Sequence, residues 1–252
     1  MRILYVCTAN VCRSRSGEAL LRDAVAARPE LAGIEIQSAG TWAVPGSGWC
    51  DVAPALVGRT ELGGAQRLDA DLVRWADLVL TAEREHRSSV VGFDTAARSR
   101  AFTVRQAARI ADWLVDGGMV EAGRQRARAA VLAAGGQAAA GDAGWAGQFP
   151  DGDPRALVTP MTGDVEARRA WLVQELDAAR GMAVAREPDP EPAGRRRFWQ
   201  RRPAESAQPA LHDDDIPDPH VMGMPLHATV DALLVPATAS LVRVLSAVSA
   251  EA

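Results

Sequence analysis

A chain of 252 residues, nearly half of them hydrophobic, is long enough to bury a sizeable core as one large domain or two small ones. Its net charge of −4 argues against nucleic acid or an anionic membrane as the main partner, and all 28 basic residues are arginine. Three cysteines do not make a disulfide framework, the opening MRILYV is too short for a signal h-region, and no apolar run approaches the ~18 residues of a membrane span, so the expected location is the cytoplasm.

In chain order, Arg2 to Val6 reads as a short buried strand and Ser16 to Ala27 as an apolar-periodic helix. Between them, Cys7 to Ser14 has the pattern C-x5-R-S where a strand end meets a helix start. A loop of that length can turn its backbone N–H groups inward around a tetrahedral oxyanion, with the helix N-terminus adding partial positive charge. Arg13 closes the ring with a planar fork for two anion oxygens. Cys7 sits at the bottom, where N–H donors, Arg13 and the Ser14 hydroxyl stabilise a negatively charged sulfur that can attack in line with a leaving group. The bland alternative makes Cys7 and Cys12 small buried apolar residues beside a strand.

Ile34 to Ser38 alternates as a second strand, and Gly40 to Gly48 is a loop at the sheet edge where α/β folds bind ligands. Trp42 there could wall a pocket for an aromatic ring or simply cover the core. Trp49 reads as structural, and Cys50 as an ordinary loop residue with no nameable partner. Asp51 to Val57 and Asp69 to Trp75 read as short helices, Asp77 to Thr81 as the third strand, Glu83 to Val91 as a helix, Arg100 to Thr103 as the fourth strand and Val104 to Val115 as the helix behind it. Strands alternating with helices imply right-handed β-α-β units, hence an α/β fold with a doubly wound four-stranded parallel sheet and flanking helices.

The run VCTANVCRS resembles the signature loop of the low-molecular-weight protein tyrosine phosphatases, with Ala9 in place of a usual glycine. Ser38-Ala39-Gly40-Thr41 and WADLVLTAEREHR (Trp75 to Arg87) are similar to two further family segments, though Ala82 stands where methionine is common. The resemblance implies Cys7 as nucleophile, Arg13 as phosphate ligand and a substrate loop of Thr8, Ala9, Asn10, Val11, Cys12 and Ser14. Cys12 would be the redox-regulatory neighbour, closing a disulfide with Cys7 on oxidation. From Gly117 the resemblance lapses. Residues 117–210 read as a long, partly disordered insertion with one helix near 165–180, Trp171, Leu172 and Leu176 sharing a face. The insertion divides a phosphatase domain of residues 1–116 and 211–252. Its Arg195 to Arg202 run reads as a solvated linker or as a site for an acidic partner or lipid.

Resemblance resumes at DDDIPDPHVMG, Asp213 to Gly223, before a helix from about Leu226 to Val248. Asp218-Pro219 is similar to the family's acid loop, which makes Asp218 the proton donor and Asp215 the competing candidate, with His220 replacing a usual tyrosine. The implied activity is hydrolysis of protein phosphotyrosine through a phosphocysteine, with no cofactor and no metal, on a phosphotyrosine-containing protein partner. An arsenate reductase using an external thiol, and a catalytically weak phosphate-binding interaction module, are the alternatives.

Overall fold

The computed structural model describes residues 1–52, 63–134, 149–150, 152–182, 214–220 and 227–250. The helix expected over Asp51 to Val57 and the Arg195 to Arg202 run lie largely or wholly outside them. Strand β1 (Arg2–Cys7) is central. It pairs in parallel with β2 (Glu35–Gly40) from Arg2↔Glu35 to Cys7↔Gly40, and on its other edge with β3 (Leu78–Thr81) from Ile3↔Leu78 to Val6↔Thr81. β4 (Ala101–Thr103) extends the sheet beyond β3, giving the order β2-β1-β3-β4. The chain leaves β1 for one edge and later returns to the other, so the carboxyl end of β1 is the switch point at which such sheets open a crevice.

Alternation along β1 splits the protein into two layers. Ile3, Tyr5 and Cys7 face one layer with Leu78, Leu80 and Phe102, whereas Leu4 and Val6 face the other with Ala39, Val79 and Ala101. The first layer is covered by α1 (Arg13–Ala26), α4 (Val104–Asp116) and α7 (His227–Ser249), and the second by α2 (Ala70–Trp75) and α3 (Arg84–Phe93). Each fully buried Leu, Ile or Phe contributes about 1.5–3 kcal/mol. Gly17 of α1 has no alternative residue here without repacking, because a Cβ would lie 2.6 Å from the Tyr5 ring.

Beyond residue 116 the expected helix forms as α6 (Val165–Ala178), and a helix with no counterpart in the sequence reading, α5 (Met119–Ala133), precedes it. Met119, Val120, Met161, Trp171, Leu172 and Leu176 join the same core as β1. The Trp171 ring lies where a Cβ on Gly123 would come within 2.7 Å, and its Nε1–H donates to Thr159 O at 2.9 Å. Buried Arg169 fastens α6 to the turn before β2, donating to Glu30 O at 3.1 Å and Ala32 O at 3.0 Å, and to α7 through Ser249 Oγ at 3.1 Å.

α7 is long and apolar enough, by length and composition, to cross a membrane, with a mean hydropathy of 1.7 over its most apolar window. Interruptions at Asp231, Pro236 and Arg243 hide that run from a search for unbroken apolar sequence. Half of the window is buried in the protein, where Leu234, Leu241, Leu245 and Val248 pack in the core.

Candidate active site

β1 delivers Cys7 to the sheet edge and α1 begins only six residues later, so the intervening turn must be tight. Asn10 takes the strain with φ 54°, a left-handed value that asparagine tolerates better than most side chains. Its side chain then fixes the loop from inside. Asn10 Nδ2 donates to Ser14 Oγ at 2.9 Å and to Ser38 Oγ at 2.7 Å, and Oδ1 accepts from Gln66 N at 2.9 Å. Because Ser14 Oγ accepts from Asn10, its own proton is available to Cys7 Sγ, 3.0 Å away, while the Asn10 backbone N–H approaches the same sulfur at 3.3 Å. Two donors thus converge on a buried sulfur. The residue at the N-cap of α1, Cys12, makes no side-chain cap, and the first turn holds no acidic residue, so the positive end of the helix faces the loop uncompensated by its own side chains.

The second strand braces the loop by close backbone approach. A Cβ on Gly40 would stand 2.5 Å from Thr8 O and 2.8 Å from Asn10 N, which explains glycine in the Ser38 to Thr41 run. Thr41 N donates to Cys7 O at 2.9 Å and Trp42 N to Thr8 O at 2.8 Å. The Trp42 side chain is 71% exposed at the rim and lies against the Arg67 guanidinium, 5.2 Å from its ring centre.

Arg13 is buried, and its guanidinium gathers the rest of the site. Its NH1 donates to Glu83 Oε1 at 2.5 Å and Ile216 O at 3.0 Å, and its NH2 to Asp218 Oδ2 at 2.6 Å and Thr8 Oγ1 at 3.2 Å. The acid segment reaches this point through Ile216, which is wholly buried and donates its N–H to Ala82 O at 2.8 Å. Asp215 turns the other way and accepts from Arg84 N at 2.9 Å. Of the two aspartates weighed from the sequence, Asp218 is the one beside Arg13.

Residues 2–114 match the family described as low molecular weight phosphotyrosine protein phosphatase. A protein-arginine-phosphatase of Geobacillus stearothermophilus is 33% identical over 108 residues, 42% of this chain and 70% of its own length. The chain belongs to the low molecular weight phosphotyrosine protein phosphatase family. A probable low molecular weight protein-tyrosine-phosphatase of Erwinia amylovora, AmsI, is 35% identical over 102 residues, 39% of this chain and 67% of that protein. The crystal structure of that Erwinia tyrosine phosphatase aligns at 32% identity over 41% of this chain and 67% of its own, with a TM-score of 0.37. Family membership makes the chain a phosphatase, and its relatives carry both tyrosine and arginine phosphatase names.

Within this phosphatase two residues that the sequence left without a role join the site, both just past the carboxyl end of β3. Glu83 meets Arg13, and burial raises its carboxyl above the ordinary range while the Arg13 charge opposes the shift. His86 Nδ1 accepts from Glu83 N at 3.1 Å, which leaves Nε2–H to donate to Thr8 Oγ1 at 2.9 Å. Burial first, and the Arg13 charge second, depress His86 to about 4, so the ring is neutral near pH 7. Their signal was position alone: ionisable residues at the sheet edge where ligands bind.

Cys50 also departs from its expected isolation. Its N–H donates to Val11 O at 2.8 Å, and its Sγ lies 3.5 Å from His227 Nε2. Cys12 Sγ and Cys50 Sγ lie within 4.8 Å of each other, and burial first, with Cys50 beside it, pushes the Cys12 thiol well up. All three cysteines are free thiols, and Cys50 stands beside Cys12 from the far side of the loop.

Proposed function

We propose that the chain hydrolyses phosphotyrosine in a protein substrate by two in-line displacements at phosphorus. Cys7 Sγ attacks, the bond from phosphorus to the phenolic oxygen breaks, and Asp218 gives its proton to the leaving oxygen. Water then attacks the phosphocysteine, Asp218 takes its proton, the sulfur–phosphorus bond breaks and phosphate departs. Arg13 and the amides of Thr8 to Ser14 stabilise charge on the equatorial oxygens. Thr8, Ala9, Asn10, Val11, Cys12 and Ser14 form the cradle, and Trp42 at its rim offers a face to the tyrosine ring. A cytoplasmic, reducing location suits the free thiol of Cys7.

The observation that carries this reading is the Arg13 guanidinium, which joins the anion loop to Asp218 from 205 positions away at 2.6 Å. A second reading, phosphoarginine, is favoured by two carboxylates at the mouth, Glu83 and Asp218, either of which can hold a leaving guanidino group. Purified protein assayed side by side on phosphotyrosine, phosphoarginine and arsenate decides. Turnover of phosphotyrosine peptides at least about tenfold above the others in kcat/KM, a gap of about 1.4 kcal/mol, supports the proposal. Preference for phosphoarginine or reduction of arsenate replaces it.

A further inference from the structure

Beside the anion loop, and outside the chemistry just described, four side chains from distant parts of the sequence converge. Cys12 precedes α1, Cys50 follows β2, His220 ends the acid segment and His227 opens α7. One ligand atom from each lies within 4.8 Å of all the others. We propose that Cys12, Cys50, His220 and His227 form a tetrahedral divalent-metal site of the zinc class, which ties the anion loop to the acid segment.

The donor set is two thiols and two imidazoles, the composition that selects zinc among common ions and disfavours magnesium and calcium. Geometry agrees with chemistry. A tetrahedral ion with bonds of about 2.3 Å to sulfur and about 2.0–2.1 Å to nitrogen sets sulfur and nitrogen about 3.6 Å apart. Cys50 Sγ and His227 Nε2 already stand 3.5 Å apart. The two imidazoles meet edge to face, with ring centres 5.0 Å apart and planes at 80°, which brings both rings to one point without stacking. Cys50 is itself pinned to the loop, since its N–H donates to Val11 O. His220 is exposed and Cys50 and His227 half-buried, so an ion has a route in, while Cys12 is buried at the back.

Binding requires no redox step. Each thiol gives its proton to solvent, each imidazole binds through a lone pair, and the ion trades water for four protein ligands. Asp218 is two residues from His220 and accepts its backbone N–H at 2.9 Å, so a metal on His220 holds the proposed acid in place against Arg13. Phosphoryl transfer through Cys7 itself needs no metal. This site stands beside that transfer and positions its parts.

The test uses the full chain, reduced and stripped with a chelator, then titrated with Zn²⁺ against a chromogenic competitor and separately with Co²⁺. One Zn²⁺ per chain is expected, and the Co²⁺ form should show the intense visible bands of a tetrahedral thiolate complex. Cys50→Ser and His227→Ala should each weaken Zn²⁺ binding by more than about 100-fold, beyond the 10–100-fold typical of removing a group that only orients a ligand. His220→Ala, at the exposed ligand, should do the same without disturbing the core, and thermal melts confirm that each variant folds. Cys7→Ser should bind Zn²⁺ as the wild type does, which separates this site from capture of the ion by the nucleophile. An octahedral Co²⁺ spectrum, unchanged affinity in the Cys50 and histidine variants, or loss of binding in Cys7→Ser overturns the assignment. A Cys12–Cys50 disulfide that survives reduction and blocks metal uptake overturns it as well.

Discussion

The anion loop and the acid segment face each other across Arg13, yet they are built in opposite ways. The loop from Cys7 to Ser14 is held by neighbours in sequence and by the adjoining strand, through Asn10, Ser14, Ser38 and the backbone of Thr41 and Trp42. The segment 214–220 arrives from the far end of the chain and has a handful of anchors: Ile216 on Ala82, Asp214 on Arg109, Asp215 on Arg84 and Asp218 on Arg13 itself. A preorganised cradle suits a charge that is the same in every substrate. A proton donor that must approach and then withdraw tolerates a lighter attachment.

The comparison is sharpened most by removing the nucleophile. Cys7→Ser is expected to lower turnover of aryl phosphates by at least about 10⁴-fold, with phosphate binding to the intact cradle still measurable by calorimetry. Retained turnover would transfer the chemistry elsewhere. On the acid side, Asp218→Asn should slow phosphotyrosine hydrolysis by roughly 10²–10⁴-fold, the usual worth of a positioned proton donor. Nitrophenyl phosphate, whose leaving group departs more readily unprotonated, should suffer less. Asp215→Asn keeps an oxygen for the Arg84 N–H and loses only the exposed charge pair with Arg84, so it should cost no more than about 1 kcal/mol of stability, with kcat nearly unchanged. Exchange of these two phenotypes would make Asp215 the acid.

A third comparison concerns the ground on which the acid segment stands. α7 follows that segment and packs in one core with α6, so Trp171→Ala should destabilise the whole fold by about 3–5 kcal/mol, read by denaturant titration, while kcat of the folded fraction is preserved. For the same reason, replacing residues 135–209 with a short linker removes α6 and should cost stability. A deletion confined to residues 183–209 leaves that core intact and should keep activity on a small aryl phosphate.

The smallest effect lies under the loop. His86 has a folded value of about 4, below its ordinary value of 6.5. Protonation therefore favours the unfolded chain, and the stability this histidine contributes is present above pH 6.5 and lost as pH falls toward 4. Between about pH 7.5 and pH 5 the wild type should lose about 1–2 kcal/mol more than His86→Gln, which keeps a donor for Thr8 but cannot titrate. Equal losses in the two proteins would remove His86 from the account.

What could be read in advance follows the same division. C-x5-R-S, the four strands and the order of helices are local patterns, and each strand lies within two residues of its expected span. α1 begins at Arg13 where its apolar period suggested Ser16, because the first helical turn belongs to the anion loop and carries polar residues. α5 went unread since Arg, Ala and Gln fill its middle and leave apolar residues at the ends. Cys50, His220 and His227 meet Cys12 only through tertiary folding, from 38, 208 and 215 positions away, and no spacing rule joins them. Asp218 was suggested by the resemblance of Asp218-Pro219 to the family's acid loop before a terminal helix, and in the fold it forms an ion pair with Arg13.

That ion pair also bears on how the enzyme empties itself. Asp218 and Glu83 hold N–H groups of Arg13 at 2.6 and 2.5 Å, and if Arg13 binds the phosphoryl group as proposed, they compete with it for that guanidinium. Inorganic phosphate bound there would have to compete with both carboxylates for the guanidinium. On the proposed mechanism, product inhibition is expected to be weaker than a buried arginine and a helix N-terminus would impose alone, so that phosphate leaves the cradle more readily.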